Sequence, residues 1–109
     1  MKIVVLPEVY VYLENLVIIL YENEYFGFKE SARRYVDDLY NDITENLSVS
    51  VKKRAPKYFD KYGKGMYYAS FRKSKATQWY AFFRVYRQNG ENIYQIRYIA
   101  NNHAIAQYL

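Results

Sequence analysis

One histidine, His103, and three arginines set among aromatic rings, Arg72, Arg84 and Arg97, are the side chains of this sequence best suited to chemistry. A histidine titrates near neutral pH and can give or take a proton. An arginine fork grips phosphate through two parallel hydrogen bonds and holds its charge throughout. Cysteine is absent. Thiol nucleophiles, thiolate zinc sites and disulfide frameworks are therefore excluded. The rings are numerous: fifteen Tyr, six Phe and one Trp. A tyrosine presents an apolar body with a polar tip, which serves both in cores and under stacked bases.

Charge is divided along the chain. Residues 1–50 carry four basic and nine acidic groups, a net of −5. Residues 51–109 carry twelve basic groups against only Asp60 and Glu91, a net of +10. Such asymmetry suggests a polyanion-facing surface on one side. Nucleic acid is the commonest such partner, because neutralising phosphates releases counterions. A solvated basic face without a ligand is the plainer alternative.

These side chains need a scaffold, and 109 residues make one domain with one core, spanning 1–109. About half the residues are apolar, as in a globular chain. The longest apolar run, residues 16–21, is too short to span a bilayer. The apolar stretch at the start is too short for a secretory signal. The expectation is a cytoplasmic domain without a membrane segment.

The pattern predicts a short strand over residues 2–6. Pro7 suits the first turn of a helix, where its missing N–H costs nothing. Val9, Leu13, Leu16, Val17 and Leu20 then recur at helical spacing. Gly27 breaks that helix near residues 25–28. A second helix is expected over 28–47, with the stripe Phe28, Ala32, Tyr35, Val36, Leu39, Ile43 and Leu47. Residues 48–57 read as a polar linker and 62–65 as a turn. Strands are expected at 66–72, 78–87 and 91–100.

Asn89-Gly90 is a hairpin signal, since both residues tolerate the positive φ of a type I′ turn. With Gln88 opposite Glu91, Val85 pairs with Tyr94, Phe83 with Ile96, Ala81 with Tyr98 and Trp79 with Ala100. That apolar side, with Tyr67, Ala69 and Phe71, should pack on the helices. The other side pairs Tyr86 with Ile93, Arg84 with Gln95, Phe82 with Arg97 and Tyr80 with Ile99. It mixes arginines with rings on which bases can stack, Tyr80, Phe82 and Tyr86 among them. No carboxylate falls between Met66 and Gln88, whereas a merely solvated face usually mixes both signs. The expected fold is α+β: a short N-terminal strand and two antiparallel helices packed on one face of a twisted antiparallel sheet.

The chain resembles the RelE/ParE superfamily of toxins from bacterial type II toxin–antitoxin systems. The resemblance covers essentially the whole chain. It is most specific over Trp79-Tyr80-Ala81-Phe82-Phe83-Arg84-Val85 and over the run from Ile93 through Ala100-Asn101-Asn102-His103, closing with Ala106-Gln107-Tyr108-Leu109. It implies a RelE-like, ribosome-dependent mRNA endonuclease acting without metal or other cofactor. The alternatives within the resemblance are a ParE-like DNA gyrase inhibitor and an inactive RNA- or protein-binding relative. Partners implied are a cognate antitoxin protein and mRNA on the ribosome.

Cleavage by such an enzyme needs the 2′-hydroxyl deprotonated, the phosphorane charge stabilised and the 5′-oxygen protonated. The resemblance places His103 as the acid–base group past the last strand and Tyr108 as the aromatic that stacks or orients the nucleotide. Arg72, Arg84 and Arg97 are the phosphate candidates, and Lys52, Lys53 and Arg54 resemble the family's basic stretch after the second helix. Each has a structural alternative. His103 can serve a turn or cap, and Tyr108 can pin the tail. Arg84 and Arg97 can lie against Phe82 as cation–π partners. Arg72 can be a strand-end surface residue, and the basic linker can be solvated. Trp79 reads as packing, and Asn101-Asn102 as a helix cap.

Overall fold

The computed structural model describes residues 1–23 and 26–109. Elements follow in the order β1 (Lys2–Val5), α1 (Pro7–Glu22), α2 (Lys29–Asn46), β2 (Lys53–Arg54), β3 (Tyr67–Arg72), β4 (Gln78–Gln88), β5 (Glu91–Asn101) and α3 (Asn102–Ile105). Short 3-10 turns cover Leu47–Val49, Lys57–Tyr62 and Ala106–Tyr108. The fold is α+β. No described helix is long and apolar enough to cross a membrane.

Pro7 stands at the first turn of α1, as its chemistry favours. The expected break of that helix falls partly on Tyr25, which lies outside the described residues. Helix α1 buries Val9, Leu13, Leu16 and Val17, and α2 buries Ala32, Val36, Leu39 and Ile43. Phe28, expected in the α2 stripe, instead precedes the helix and is 71% exposed. The two helices are tied across their outer edge. Arg33 donates two hydrogen bonds to the Glu14 carboxylate, at 2.9 and 2.6 Å, and the Tyr10 and Tyr40 hydroxyls meet at 3.1 Å.

The sheet has five strands in the order β1-β5-β4-β3-β2. It is mixed, not wholly antiparallel as expected, because β1 pairs with β5 in parallel. The two helices between β1 and the later strands form a crossover long enough to return the chain in that direction. The expected linker contributes a two-residue edge strand, β2, paired with Tyr67 and Tyr68 of β3.

The hairpin forms as its turn chemistry predicts, with positive φ at Asn89 (53°) and Gly90 (77°). Its register matches the expectation from Gln88↔Glu91 to Phe83↔Ile96 and then shifts by one residue. Beyond the shift Phe82 faces Tyr98, Ala81 faces Ile99 and Trp79 faces Asn101. Arg97 is the extra residue of a β-bulge. The expected pairs of Phe82 with Arg97, Ala81 with Tyr98, Tyr80 with Ile99 and Trp79 with Ala100 are therefore corrected. The physical gain is on both sides. The bulge sends Ile99 into the helical core beside Ala81 and Phe83. Tyr98 and Ala100 go to the opposite face.

That opposite face is not open. A second core of Phe59, Met66, Phe82, Ala100 and Ile105 covers it. The lid consists of the 3-10 turn Lys57–Tyr62 and the C-terminal α3. Phe82, expected on an RNA-facing surface, is wholly buried and lies 4.4 Å, centroid to centroid, from Phe59. Tyr62 stacks on Tyr98 at 3.8 Å with the planes 7° apart. Gly63 lets the lid lie this close: a Cβ there would meet Arg97 Nε at 2.6 Å, at a φ of 151°.

Burial on this face should be visible in stability. Phe82→Ala is expected to cost about 3–5 kcal/mol, read as a lower urea midpoint at unchanged slope. A loss of about 0.5 kcal/mol or less, the usual size for a surface change, would mean that the face is open.

Candidate functional site

The sequence candidates fall into three places. The first is the end of the sheet where β3 turns into β4. Arg72 closes β3 opposite Gln78, and its Nε donates to the Ser74 carbonyl at 3.1 Å. The loop of residues 73–77 is tight. Lys73 N donates to the Thr77 carbonyl at 3.1 Å, and Thr77 N donates to Ser74 Oγ at 3.1 Å. Asn102 locks this loop to the C-terminal segment: its Oδ1 accepts from Gln78 N at 2.9 Å and its Nδ2 donates to the Ala76 carbonyl at 3.1 Å. Asn101 caps α3, accepting from Ala104 N at 3.1 Å. That cap was legible; the locking role of its neighbour was not.

His103 occupies the first turn of α3, exposed, with Nε2 3.4 Å from Thr77 Oγ1. Arg72 and His103 therefore stand at the same end of the sheet, on strands flanking β4, with Lys73 and Lys75 on the loop between β3 and β4. Lys73 and Lys75 were not singled out from sequence. Their signal is the cluster Arg72-Lys73-Ser74-Lys75 at a strand-to-strand connection, where side chains project beyond the paired backbone.

The second place is the lidded face. Arg97 is half-buried. Its Nε donates to the Tyr62 carbonyl at 2.6 Å and its Nη1 to Gln95 Oε1 at 2.9 Å, so much of its fork is engaged within the fold. Tyr108, in the last 3-10 turn, stacks on Tyr58 at 3.7 Å with planes 2° apart. The Lys61 ammonium lies 4.1 Å from the centre of the Tyr58 ring. Hydrogen bonding from Lys61, then from Tyr108, lowers the pKa of the exposed Tyr58 phenol. Tyr58 and Lys61 were missed because residues 58–61 lay in the span left between linker and turn. Their i, i+3 spacing is the available signal, since such residues align on a 3-10 turn. Tyr80 is half-buried with its ring 5.9 Å from Tyr68.

The third place is the part of the hairpin beyond the end of β3. Arg84 is exposed there opposite Gln95, with Tyr86 39% exposed. Arg84 is six residues along β4 from Gln78, the partner of Arg72. At about 3.3 Å per residue that separation is roughly 20 Å. Lys53 and Arg54 of β2, with Lys52 before them, adjoin the opposite end of β3 from Arg72, roughly 17 Å away by the same spacing. Lys52 Nζ lies 5.3 Å from the Tyr94 ring centre and the Arg54 guanidinium 5.5 Å from that of Tyr67. The arginines thus do not converge on one phosphate.

Among the described residues, no ion pair engages any lysine or arginine of residues 51–109: the salt bridges join Met1 to Glu91 and Arg33 to Glu14 and Asp37. The described residues form no cluster of three or more His, Asp or Glu able to hold a metal ion. No family model, no curated protein and no solved structure matches this chain.

Two tyrosines, Tyr12 of α1 and Tyr98 of β5, carry a pH signature. Burial pushes Tyr12 up to about 12. Burial, reinforced by the hydrogen bond with Tyr62, raises Tyr98 as well. Groups whose folded pKa is raised stabilise fully below the unfolded value, about 10, and lose that stabilisation as pH climbs through the folded value. The urea midpoint should therefore fall steadily from pH 10 to pH 12, and Tyr12→Phe should flatten the fall. An unchanged midpoint across that range would contradict the burial of both phenols.

Proposed function

We propose that this chain is a RelE-like toxin of a toxin–antitoxin pair, a ribosome-dependent mRNA endonuclease that works without metal. The observation that carries the reading is the cationic surface of residues 51–109, without ion pairs among the described residues, with His103 and Arg72 at the same β3–β4 end of the sheet. Cations left without carboxylate partners retain their full attraction for phosphate. Their spread along roughly 20 Å suits a single strand laid across the molecule better than one bound anion.

In this reading Arg72 and the loop lysines Lys73 and Lys75 hold the scissile phosphate and offset the charge that grows on its oxygens. His103, exposed at the same end of the sheet and 3.4 Å from Thr77 of that loop, exchanges the proton. The 2′-oxygen attacks phosphorus, the bond to the 5′-oxygen breaks, and the leaving oxygen takes up a proton. The products are a 2′,3′-cyclic phosphate and a free 5′-hydroxyl, so no outside water or oxidant enters. Tyr108, backed by Tyr58 and Lys61, offers a ring and a cation to a flanking nucleotide. Arg84, Tyr86 and the Lys52–Lys53–Arg54 stretch contact the strand further out. A cognate antitoxin would silence the protein by covering these cations.

The test is a cell-free translation reaction with a defined message, mapped by primer extension with and without ribosomes. Discrete cuts that require ribosomes are expected. They should weaken about 10²–10⁴-fold in His103→Ala, the usual range for a lost acid–base group. Arg84→Ala should weaken them less. An intact message would reject the nuclease and turn attention to inhibition of DNA gyrase, measured by supercoiling.

A further inference from the structure

The two pieces of the lid, the 3-10 turn Lys57–Tyr62 and the segment that follows β5, touch on their outer side through two phenols. Tyr58 and Tyr108 lie face to face, with ring centroids 3.7 Å apart and planes 2° apart. Paired rings usually keep roughly 4.5–7 Å between centroids, offset or edge-on. Here the rings overlap almost squarely. The Tyr108 hydroxyl hydrogen-bonds to that of Tyr58. Both phenols therefore point the same way, and the carbons ortho to each oxygen lie over one another. Tyr58 is 42% exposed, and the Lys61 ammonium stands 4.1 Å from its ring centre. Beside them Phe59 and Ile105, one from each piece, are buried in the second core.

We propose that Tyr58 and Tyr108 are a site of oxidative cross-linking, which joins the two pieces of the lid by a carbon–carbon bond. The inference does not rest on RNA cleavage. The oxidant is of the peroxide class, acting through a haem peroxidase that removes one electron at a time. Each phenol gives up an electron and its hydroxyl proton and becomes a phenoxyl radical. The unpaired density is shared between the oxygen and the ortho carbons. In stacked rings the orbitals at those carbons point at each other, so two ortho carbons bond. Each then releases its hydrogen as a proton, and each ring oxygen takes one up, which restores both phenols. Two electrons and two protons leave in all, and one hydrogen peroxide accepts them to give two waters. Lys61 favours the first step, because a neighbouring cation stabilises the phenolate, the form that yields an electron most readily. Two other pairs compete. Tyr62 and Tyr98 also stack, at 3.8 Å and 7°, but burial raises the Tyr98 pKa and β5 holds that ring in the sheet. Tyr10 and Tyr40 bring their hydroxyls to 3.1 Å, but their rings are tilted by 41° with centroids 5.9 Å apart. The new bond would close a loop of chain from residue 58 to residue 108, and such a link stabilises chiefly by restricting the unfolded chain.

The test treats the dilute whole protein with hydrogen peroxide and a haem peroxidase. The monomeric product is isolated by size and mapped by proteolysis and mass spectrometry. It should have lost two hydrogens and show the fluorescence of dityrosine, with the link at Tyr58 and Tyr108. Tyr58→Phe and Tyr108→Phe keep both rings and remove one phenol, so the fold is spared. Each should abolish the cross-linked monomer. Tyr21→Phe, at a phenol of α1 that is 43% exposed, should leave its yield unchanged. In denaturing urea the link between 58 and 108 should lose its preference over the other pairings that fifteen tyrosines allow. The isolated cross-linked monomer should unfold at a higher urea concentration than the untreated protein.

The proposal is overturned if the monomer gains no cross-link, whether or not dityrosine forms between molecules. It is equally overturned if the link maps to Tyr62 and Tyr98 or to Tyr10 and Tyr40, or if the two phenylalanine variants leave its yield unchanged. A link between 58 and 108 that forms as readily in urea would show that the stack does not direct it, and overturns the proposal too. A link at that place with no rise in the urea midpoint would keep the site and reject the stapling of the lid.

Discussion

The hydrogen bond from the Arg97 guanidinium to the Tyr62 carbonyl, 2.6 Å long, sits at the junction on which the rest of the molecule depends. Arg97 is the extra residue of the β5 bulge, and without that residue one face of the sheet would lose its packing. A strict two-residue alternation would leave Ile99 under the lid and turn Tyr98 toward the helices. The bulge reverses both and leaves a charged side chain at the kink. Its fork then needs an acceptor, and the carbonyl at the end of the 3-10 turn supplies one. Gly63 follows at once, because no Cβ fits beside that fork. A lid of aromatic residues is thereby pinned over the second face, and the sheet is buried on both sides.

Double burial has an electrostatic consequence. With Phe82 and Met66 sealed beneath the lid, the cations of residues 51–109 cannot share one broad open sheet face. They are displaced to its margins: the β3–β4 end, the protruding hairpin, the edge strand and the lid itself. The edge strand gains protection from this, since Lys53 and Arg54 guard an otherwise unpaired backbone edge. The loop that carries Lys73 and Lys75 is itself anchored at the β3–β4 end. The Asn102 side chain accepts from Gln78 N and donates to the Ala76 carbonyl, which fixes the C-terminal segment bearing His103 to the end of the sheet where Arg72 closes β3.

The sequence disclosed the local features well. The helical stripes, the Pro7 start, the Asn89-Gly90 turn and the six pairs nearest it all follow from short-range chemistry. The bulge was hidden because Ile96-Arg97-Tyr98-Ile99 alternates acceptably in either register. Nothing in those four residues says that Tyr62 waits across the sheet. The parallel pairing of β1 was hidden for a similar reason, since a short apolar strand does not declare its partner. The second core was overlooked because Tyr58, Phe59 and Tyr62 follow a proline and a basic run, a context that reads as loop. Of the candidate site, the neighbourhood of Arg72 and His103 was legible in the residues but not in their relation. Both stand at strand ends, and only the hairpin register and Asn102 bring those ends together. Arg84 and Arg97 looked like companions on one face, yet the bulge and the lid give them different surroundings.

The central claim is that the unpaired cations of residues 51–109 form a surface for phosphates. It is tested most directly by the salt dependence of binding to a short, unstructured RNA, followed by fluorescence anisotropy. Each phosphate neutralised on a single strand contributes about −0.7 to the slope of log affinity against log salt. A surface that engages four or more phosphates should give a slope of about −3 or steeper, and joint replacement of Arg72, Lys73 and Lys75 by alanine should make it shallower by about 2. A slope near zero, or one indifferent to those three residues, would contradict the account.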